Sequence, residues 1–266
     1  MVRLSIYDWF GLLIIGSFFG LICETLYMFF LTGEWISRKG FLFLPLCPLY
    51  GFALVGSRLM PTAFQKTYFR LWLTGCVGGT LLEFISSILL EKIFHLRWWD
   101  YSYLPYNIEG RVWLPMSLLW GLVVVVSNRW LTTFILAGLK KLPVRTTEFI
   151  FTLLLVLVII DSSLTTMGLF RFAQRHQLIQ TPTWVVAFNQ DVGINDHQPW
   201  LMKLDQTLFS DQHIYRIFPY ITAKDGNGWE RMVIQDKRKN QIPPPFSESL
   251  PDSSSPANVS SSERWD

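Results

Sequence analysis

Five long apolar stretches dominate the sequence. They cover roughly residues 8–31, 41–60, 70–92, 113–136 and 148–170. An α-helix needs about 20 apolar residues to cross the hydrocarbon core of a bilayer, and inside that core only helices and closed barrels satisfy their own backbone groups. The sequence therefore predicts an all-α polytopic membrane helix bundle with about five transmembrane helices, within residues 1–172.

Composition agrees with a bundle in lipid and excludes several other classes of protein. Half of the residues are hydrophobic and 16% are charged, whereas a typical soluble domain has about 25% charged residues. The formal charge of +3 is too small to indicate a nucleic-acid partner. The three cysteines form no CxxC pair, so we predict no metal site and no cofactor, with membrane lipids as the surroundings.

Prolines disturb the second apolar stretch. Pro45 and Pro48 lie near its start, where proline removes backbone hydrogen bonds and interrupts a helix. A short re-entrant segment is an alternative to a regular helix there, provided that protein covers the freed backbone groups. The first stretch exceeds the 7–15 or so apolar residues of a signal peptide, so we interpret it as a retained helix.

Small residues recur four positions apart within three of the stretches. The pairs are Gly16 and Gly20, Gly75 and Gly79, and Ser117 and Gly121. Such pairs let helix backbones approach closely in lipid. We expect them to pack helices within the bundle rather than to form a dimer face.

The composition changes after residue 172. Residues 173–240 mix charged and turn residues, and the segment RIFPYITAKDGNGWERMVIQDK predicts a β-hairpin around the turn DGNG at residues 225–228. We expect a small soluble region of mixed or β structure there. Residues 241–266 are rich in proline and serine and are expected to be disordered.

Two loops carry basic residues without acidic ones, which indicates their side of the membrane. The first holds Arg58, Lys66 and Arg70, and the second holds Arg129, Lys140, Lys141 and Arg145. Basic residues are enriched in cytoplasmic loops. We therefore expect a multi-pass protein of the cell membrane with a cytoplasmic N-terminus and an extracytoplasmic C-terminal tail.

Polar residues within the apolar stretches gather on one side of the predicted bundle. Odd-numbered helices end, and even-numbered helices begin, on one common face, opposite the basic loops. The candidate cavity or substrate residues on this face are Glu24, Tyr50, Glu83, Asp100, Asn107, Arg111 and Asp161. A charge inside a membrane costs at least ~2.5 kcal/mol and normally faces the bundle interior or a cavity.

Two interpretations of these polar residues stay open. One is a one-sided polar cavity for a substrate headgroup or an ion. The other is a buried network that fixes helix register. In both, Arg111 is the expected partner of Glu24 or Glu83, with Arg38, Lys39 and Arg97 as alternatives.

An aromatic loop at residues 95–112 joins the third and fourth helices on the same face. Trp98, Trp99 and Tyr101 surround Asp100 there. Indole faces can stack on a sugar or hold a cation, but Trp and Tyr are also enriched at membrane–water interfaces without any ligand. We predict that the loop caps the cavity.

Several spaced blocks of the sequence resemble a known family. They are RKGFL and PLCPLYG at residues 38–42 and 45–51, LLEF at 81–84, WWDYS at 98–102, GR at 110–111 and SLLWG at 117–121. They resemble the bacterial membrane-protein family labelled "putative ABC-transporter permease", type IV, of the CmpB kind. The resemblance covers roughly residues 8–140. Lys39, Leu44 and Phe84 depart from the family pattern, as does VW at residues 112–113.

The resemblance implies a permease-like transport component with an ATPase subunit in trans, since the chain has no GxxxxGK[ST] phosphate loop. One alternative is a membrane-embedded enzyme acting on a lipid or lipid-linked substrate, with Glu83 or Asp100 as general base and Arg111 holding a phosphate. Another is a membrane scaffold or assembly factor. The sequence assigns no catalytic residue, substrate, energy source or oligomeric state.

Overall fold

Helices account for most of the described chain. The computed structural model describes residues 4–179, 207–225 and 228–231. Its helices are α1 (Ile6–Thr32), α2 (Pro48–Leu59), α3 (Tyr68–Phe94), α4 (Leu114–Val126), α5 (Thr132–Leu139), α6 (Val144–Arg175) and α7 (Asp211–Ile217). A π-helical turn, Ser127–Leu131, joins α4 to α5. The strands are β1 (Leu96–Arg97), β2 (Asn107–Ile108), β3 (Val112–Trp113), β4 (Thr222–Asp225) and β5 (Gly228–Arg231).

Four helical spans in the described residues are long and apolar enough to cross a membrane. They are α1, α3, the α4–α5 span Leu114–Leu139, and α6. Local signals fix their ends. Ser5 and Asp8 form a capping box at the start of α1, and Gly33 ends that helix with φ of 72°. The predicted membrane helix bundle is confirmed.

The second apolar stretch also returns through the bundle, but only half of it is helical. On α1, Gly20 packs against Tyr50 of α2 and Gly16 packs against Leu54, so the two helices are antiparallel. Since α2 has 12 residues, it spans about 18 Å at 1.5 Å per residue, less than the ~30 Å hydrocarbon core. Non-helical chain at residues 40–47 precedes it. The second stretch is therefore not the regular helix that the sequence alternatives included, and this broken pass lies beside the four helical spans.

Side chains of α6 satisfy the backbone of the broken pass. The N–H groups of Phe43 and Leu44 donate to one carboxylate oxygen of Asp161 at 3.1 and 2.6 Å. The N–H of Leu42 donates to the hydroxyl of Thr165 at 3.0 Å. Asp161 is only 3% exposed. Since an unpaired N–H in a membrane interior costs several kcal/mol, Asp161 stabilises the non-helical chain.

Glycines allow the helices of the bundle to approach one another closely. A Cβ on Gly16 or Gly20 of α1 would meet Leu54 or Tyr50 of α2. On α3, a Cβ on Gly79 would meet the ring of Trp120 of α4. These close approaches lie within one chain, as expected of the small-residue pairs.

The C-terminal part that the structure describes packs on the bundle. β4 and β5 pair as an antiparallel hairpin with Asp225 opposite Gly228, where the sequence predicts one. β4 also pairs with β1. A buried cluster unites Leu96 and Phe172 of the bundle with Ile214 and Ile221. We call residues 207–223 the C-terminal strap. The division at residue 173 stays a prediction, and the tail at 241–266 lies outside the described residues.

Loss of the Asp161 carboxylate should destabilise the fold. In Asp161→Ala, the N–H groups of Phe43 and Leu44 lose a buried acceptor, and each such loss costs about 1–3 kcal/mol. We expect the midpoint of thermal unfolding in detergent to fall by several degrees. The midpoint of Asp161→Asn should fall less, because asparagine keeps one acceptor oxygen.

Ser163→Ala is the matched control, because the Ser163 hydroxyl is exposed and bonds back to its own helix at Ile159. Equal unfolding midpoints for Asp161→Ala and Ser163→Ala would contradict the assigned role.

Candidate functional site

A cavity of about 320 Å³ lies where α1 and α3 end and α2 and α4 begin. We call this end of the bundle the cavity face. Six of the predicted candidate residues line the cavity: Glu24, Tyr50, Glu83, Trp98, Trp99 and Tyr101. Its volume falls within the ~300–1,000 Å³ of typical ligand sites. The structure therefore brings together most of the predicted aromatic residues and both intramembrane glutamates.

The carboxylate of Glu24 pairs with Arg38. The Arg38 Nη2 and Nε donate to Glu24 Oε1 at 2.5 and 3.0 Å, and the Cys47 thiol lies 3.5 Å from Oε2. Burial alone would lower the pKa of Arg38, but the charge and hydrogen bond of Glu24 outweigh it and raise that pKa. The side chains of this ion pair are less than one-fifth exposed.

The carboxylate of Glu83 has a different environment. Tyr101 donates its hydroxyl to Oε1 at 3.3 Å, and Trp120 donates its indole N–H to Oε2 at 3.2 Å. Glu83 is 4% exposed, and no ion pair joins it to a cation in the described part of the chain. Burial and the charge of Glu83 raise the pKa of Tyr101, which keeps its hydroxyl a donor. Two neutral donors thus hold an acidic group at the cavity wall.

The expected partnership of Arg111 with Glu24 or Glu83 is wrong. Arg111 pairs instead with Glu91 at 2.6 Å and Glu109 at 3.2 Å, and it donates to the Ser87 hydroxyl at 3.2 Å. Arg111 directly precedes β3 at the level where α3 ends, so it reaches Glu91 and Ser87 rather than Glu83, one turn deeper. Glu91 was missed, although positions 83, 87 and 91 recur every four residues on one face of α3.

Arg97 joins this cluster from the other side of Glu91. Its Nε donates to the Glu91 carboxylate at 2.9 Å, and its Nη1 donates to the Glu109 carbonyl at 3.2 Å. Both Arg97 and Arg111 are buried. The cluster therefore ties the aromatic loop to the end of α3 outside the cavity.

Asp100 and Asn107 stabilise the fold of the aromatic loop. Asp100 accepts hydrogen bonds from the N–H and hydroxyl of Ser102 at 3.1 and 2.5 Å. Asn107 donates to the Leu104 carbonyl and accepts from the Gly110 N–H. The described residues of the cavity wall do not include Asp100, Asn107, Arg111 or Asp161. These four candidates serve backbone or ion-pair contacts in this structure.

The aromatic residues of the loop contribute to the cavity wall. Trp98, Trp99 and Tyr101 are half-buried and line the cavity. The Trp99 indole donates to the Arg111 carbonyl at 2.7 Å. The loop therefore forms part of the cavity wall, and its role as a cap stays a prediction.

Part of the cavity wall comes from residues that sequence reasoning did not select. Ile217, Phe218, Pro219 and Tyr220 of the C-terminal strap line the cavity. The available signal was the short apolar run IFPY in an otherwise polar region. Cys47 and Trp120 were also not among the selected site residues, although each lies within one of the blocks that resemble the family.

Comparisons with known proteins give one match. The model of a family described as "Putative ABC-transporter type IV" matches residues 11–166. Among curated proteins and among solved structures, nothing matches this chain. The matched region runs from α1 into α6 and stops before the C-terminal strap. With the four spans, the match identifies a multi-pass membrane protein.

Removal of the Glu24 charge should cost more stability than removal of the Glu83 charge. Glu24→Gln leaves the largely buried Arg38 guanidinium without its carboxylate, and breaking such a pair from one side costs up to about 3 kcal/mol. Glu83→Gln keeps an acceptor oxygen for Tyr101 and Trp120, so this variant should lose only about 1 kcal/mol of unfolding free energy. Unfolding of the purified protein in detergent measures both changes.

Two further variants make this comparison specific. Glu24→Gln combined with Arg38→Gln should recover part of the lost stability, because no unpaired charge is then buried. The exposed Glu34→Gln serves as the control for loss of a carboxylate. A larger loss for Glu83→Gln than for Glu24→Gln would refute the assignment.

Proposed function

Because the chain belongs to the family described as "Putative ABC-transporter type IV", we propose that it is a permease-like component of a membrane transporter. ATP hydrolysis would come from a separate subunit, since the sequence has no GxxxxGK[ST] phosphate loop. The substrate would bind in the cavity at the cavity face.

The broken pass beside the cavity is the observation that carries this proposal. Cys47, Pro48 and Tyr50, where non-helical chain enters α2, all line the cavity. In many transporters, interrupted helices form the substrate site, because a half-helix terminus and freed backbone groups can meet a ligand there. A helix broken at this position for packing alone would not require a cavity.

The walls of the cavity favour a small amphipathic substrate. The Glu24–Arg38 pair and Glu83 supply ionisable groups, while the rings of Tyr50, Trp98 and Trp120 supply apolar surface. Such a combination of mostly apolar walls and few placed polar groups is typical of small-molecule sites. The charges of Glu24 and Arg38 offset each other, so a substrate with a modest net charge fits best.

The opposite end of the bundle is the proposed contact surface for the ATPase subunit. Arg129 donates to the Gln65 carbonyl at 2.5 Å and stacks over the Tyr68 ring at 5.0 Å. The two basic loops therefore meet at one end, which we call the basic face. Cytoplasmic loops are enriched in Lys and Arg, so we place the basic face in the cytoplasm, with the N-terminus inside and the C-terminal region outside.

The geometry supports the enzyme alternative less well. In that alternative Arg111 would hold a phosphate, but its guanidinium is engaged by Glu91, Glu109 and Ser87. Asp100, one of two proposed bases, bonds to Ser102 outside the cavity. Only Glu83 of the proposed catalytic set lines the cavity.

Affinity purification from native membranes tests the proposed partner. The tagged full-length chain should recover a nucleotide-binding subunit, identified by mass spectrometry. The double substitution Lys140→Glu with Lys141→Glu reverses charge on the basic face. It should lower that recovery about tenfold, because charges at the edge of an interface steer association.

Lys92→Glu provides the matched control, because Lys92 is an exposed lysine in the last turn of α3, at the cavity face. Recovery of no nucleotide-binding subunit by the unmodified chain would overturn the proposal. An equal loss with Lys92→Glu would remove the basic face as the contact surface.

A further inference from the structure

The C-terminal strap provides one wall of the cavity. Its residues 217–220 follow one another along the cavity lining. The ring of Phe218 meets Trp98 edge-on with centroids 5.7 Å apart. The ring of Tyr220 lies 5.3 Å from the guanidinium carbon of Arg38. The strap thus covers the same charged pair that the bundle presents to a ligand.

The strap is anchored away from the cavity. Asp211, at the start of α7, contacts Arg175 at 2.6 Å and His176 at 3.0 Å. At the other end of the strap, Thr222 and Ala223 pair with β1. Between these anchors, Ile217 and Phe218 also pack in the buried cluster. Tyr220 meets Arg38 through a cation–π contact, which is individually weak.

We infer that the C-terminal strap closes the mouth of the cavity and selects what enters it, with Phe218 and Tyr220 as the specificity-determining residues. A ligand reaches Glu24 and Arg38 when residues 217–220 move away while the anchors hold. The inference rests on the proposed function in one respect, namely that the cavity binds a ligand.

The match to the family gives this inference a second basis. The match ends at residue 166, so Glu24 and Arg38 belong to the matched region and the strap does not. The bundle therefore supplies the charged pair, and a segment outside the match supplies the closing wall. Different closing segments on the same bundle would admit different ligands.

Cys47 is a built-in reporter of access to the cavity. It lines the cavity, and the chain has only two other cysteines, Cys23 and Cys76. In a Cys23→Ser, Cys76→Ala background, a charged methanethiosulfonate reagent bearing a trimethylammonium group can modify Cys47 alone. Only the thiolate form of a cysteine reacts, so all rates are compared at one fixed pH.

Opening the mouth should speed this modification. We expect Phe218→Ala with Tyr220→Ala to raise the rate at Cys47 about tenfold, since the population of the open form governs labelling of a buried group. Tyr106→Ala is the matched control, because Tyr106 is an aromatic residue of the same face that is 78% exposed.

A second variant keeps the test decisive if the double substitution impairs folding. Asp211→Asn weakens the contacts with Arg175 and His176 without touching the mouth. We expect it to raise the Cys47 rate several-fold. Gel filtration and thermal unfolding show which variants are folded.

Equal rates in the parent background, Asp211→Asn and the folded mouth variant would overturn the inference. A Cys47 rate in the parent as fast as that of a free thiol would also overturn it, because the mouth would then be open. The assay involves neither ATP nor a partner. Strap-dependent labelling without recovery of a nucleotide-binding subunit would therefore refute the proposed function and leave the strap as a closure of the cavity.

Discussion

The hydrogen bonds between Asp161 and the backbone at Phe43 and Leu44 are the constraint on which the remaining architecture depends. Without them, non-helical chain inside an apolar bundle would leave N–H groups unpaired, and lipid offers no alternative acceptor. Because these hydrogen bonds pair the non-helical backbone, the helix of the second pass can be as short as 12 residues. The shortened helix leaves room for Cys47, Tyr50 and the cavity beside them. A single buried carboxylate thus makes the site geometrically possible.

The cavity combines contributions from parts of the chain with different constraints. Glu24 and Glu83 come from long helices whose packing is fixed by close glycine contacts. Arg38 lies in the loop that leads into the broken pass, and Tyr220 comes from a segment outside the family match. Long helices therefore hold the acidic groups, whereas Arg38 and Tyr220 beside them lie outside the helices.

Much of the bundle could be predicted because hydrophobic length and small-residue spacing are local signals. The intramembrane Glu24 and Glu83 stood out for the same reason, since an acid in an apolar run is conspicuous. Arg111 was assigned the wrong partner because hydropathy gives the face on which a residue lies but not its depth to within one helical turn. Asp161 was taken for a cavity residue because a sequence cannot show that a backbone 118 positions away needs an acceptor. The contribution of Tyr220 depends on tertiary docking, which no local pattern records.

The bond between α6 and the broken pass also orders the assembly of the protein during synthesis. Residues 42–44 are made long before Asp161, yet their N–H groups have no partner in lipid until that carboxylate arrives. The second pass therefore cannot adopt its final form when it leaves the ribosome. In this chain, α6 completes the second pass.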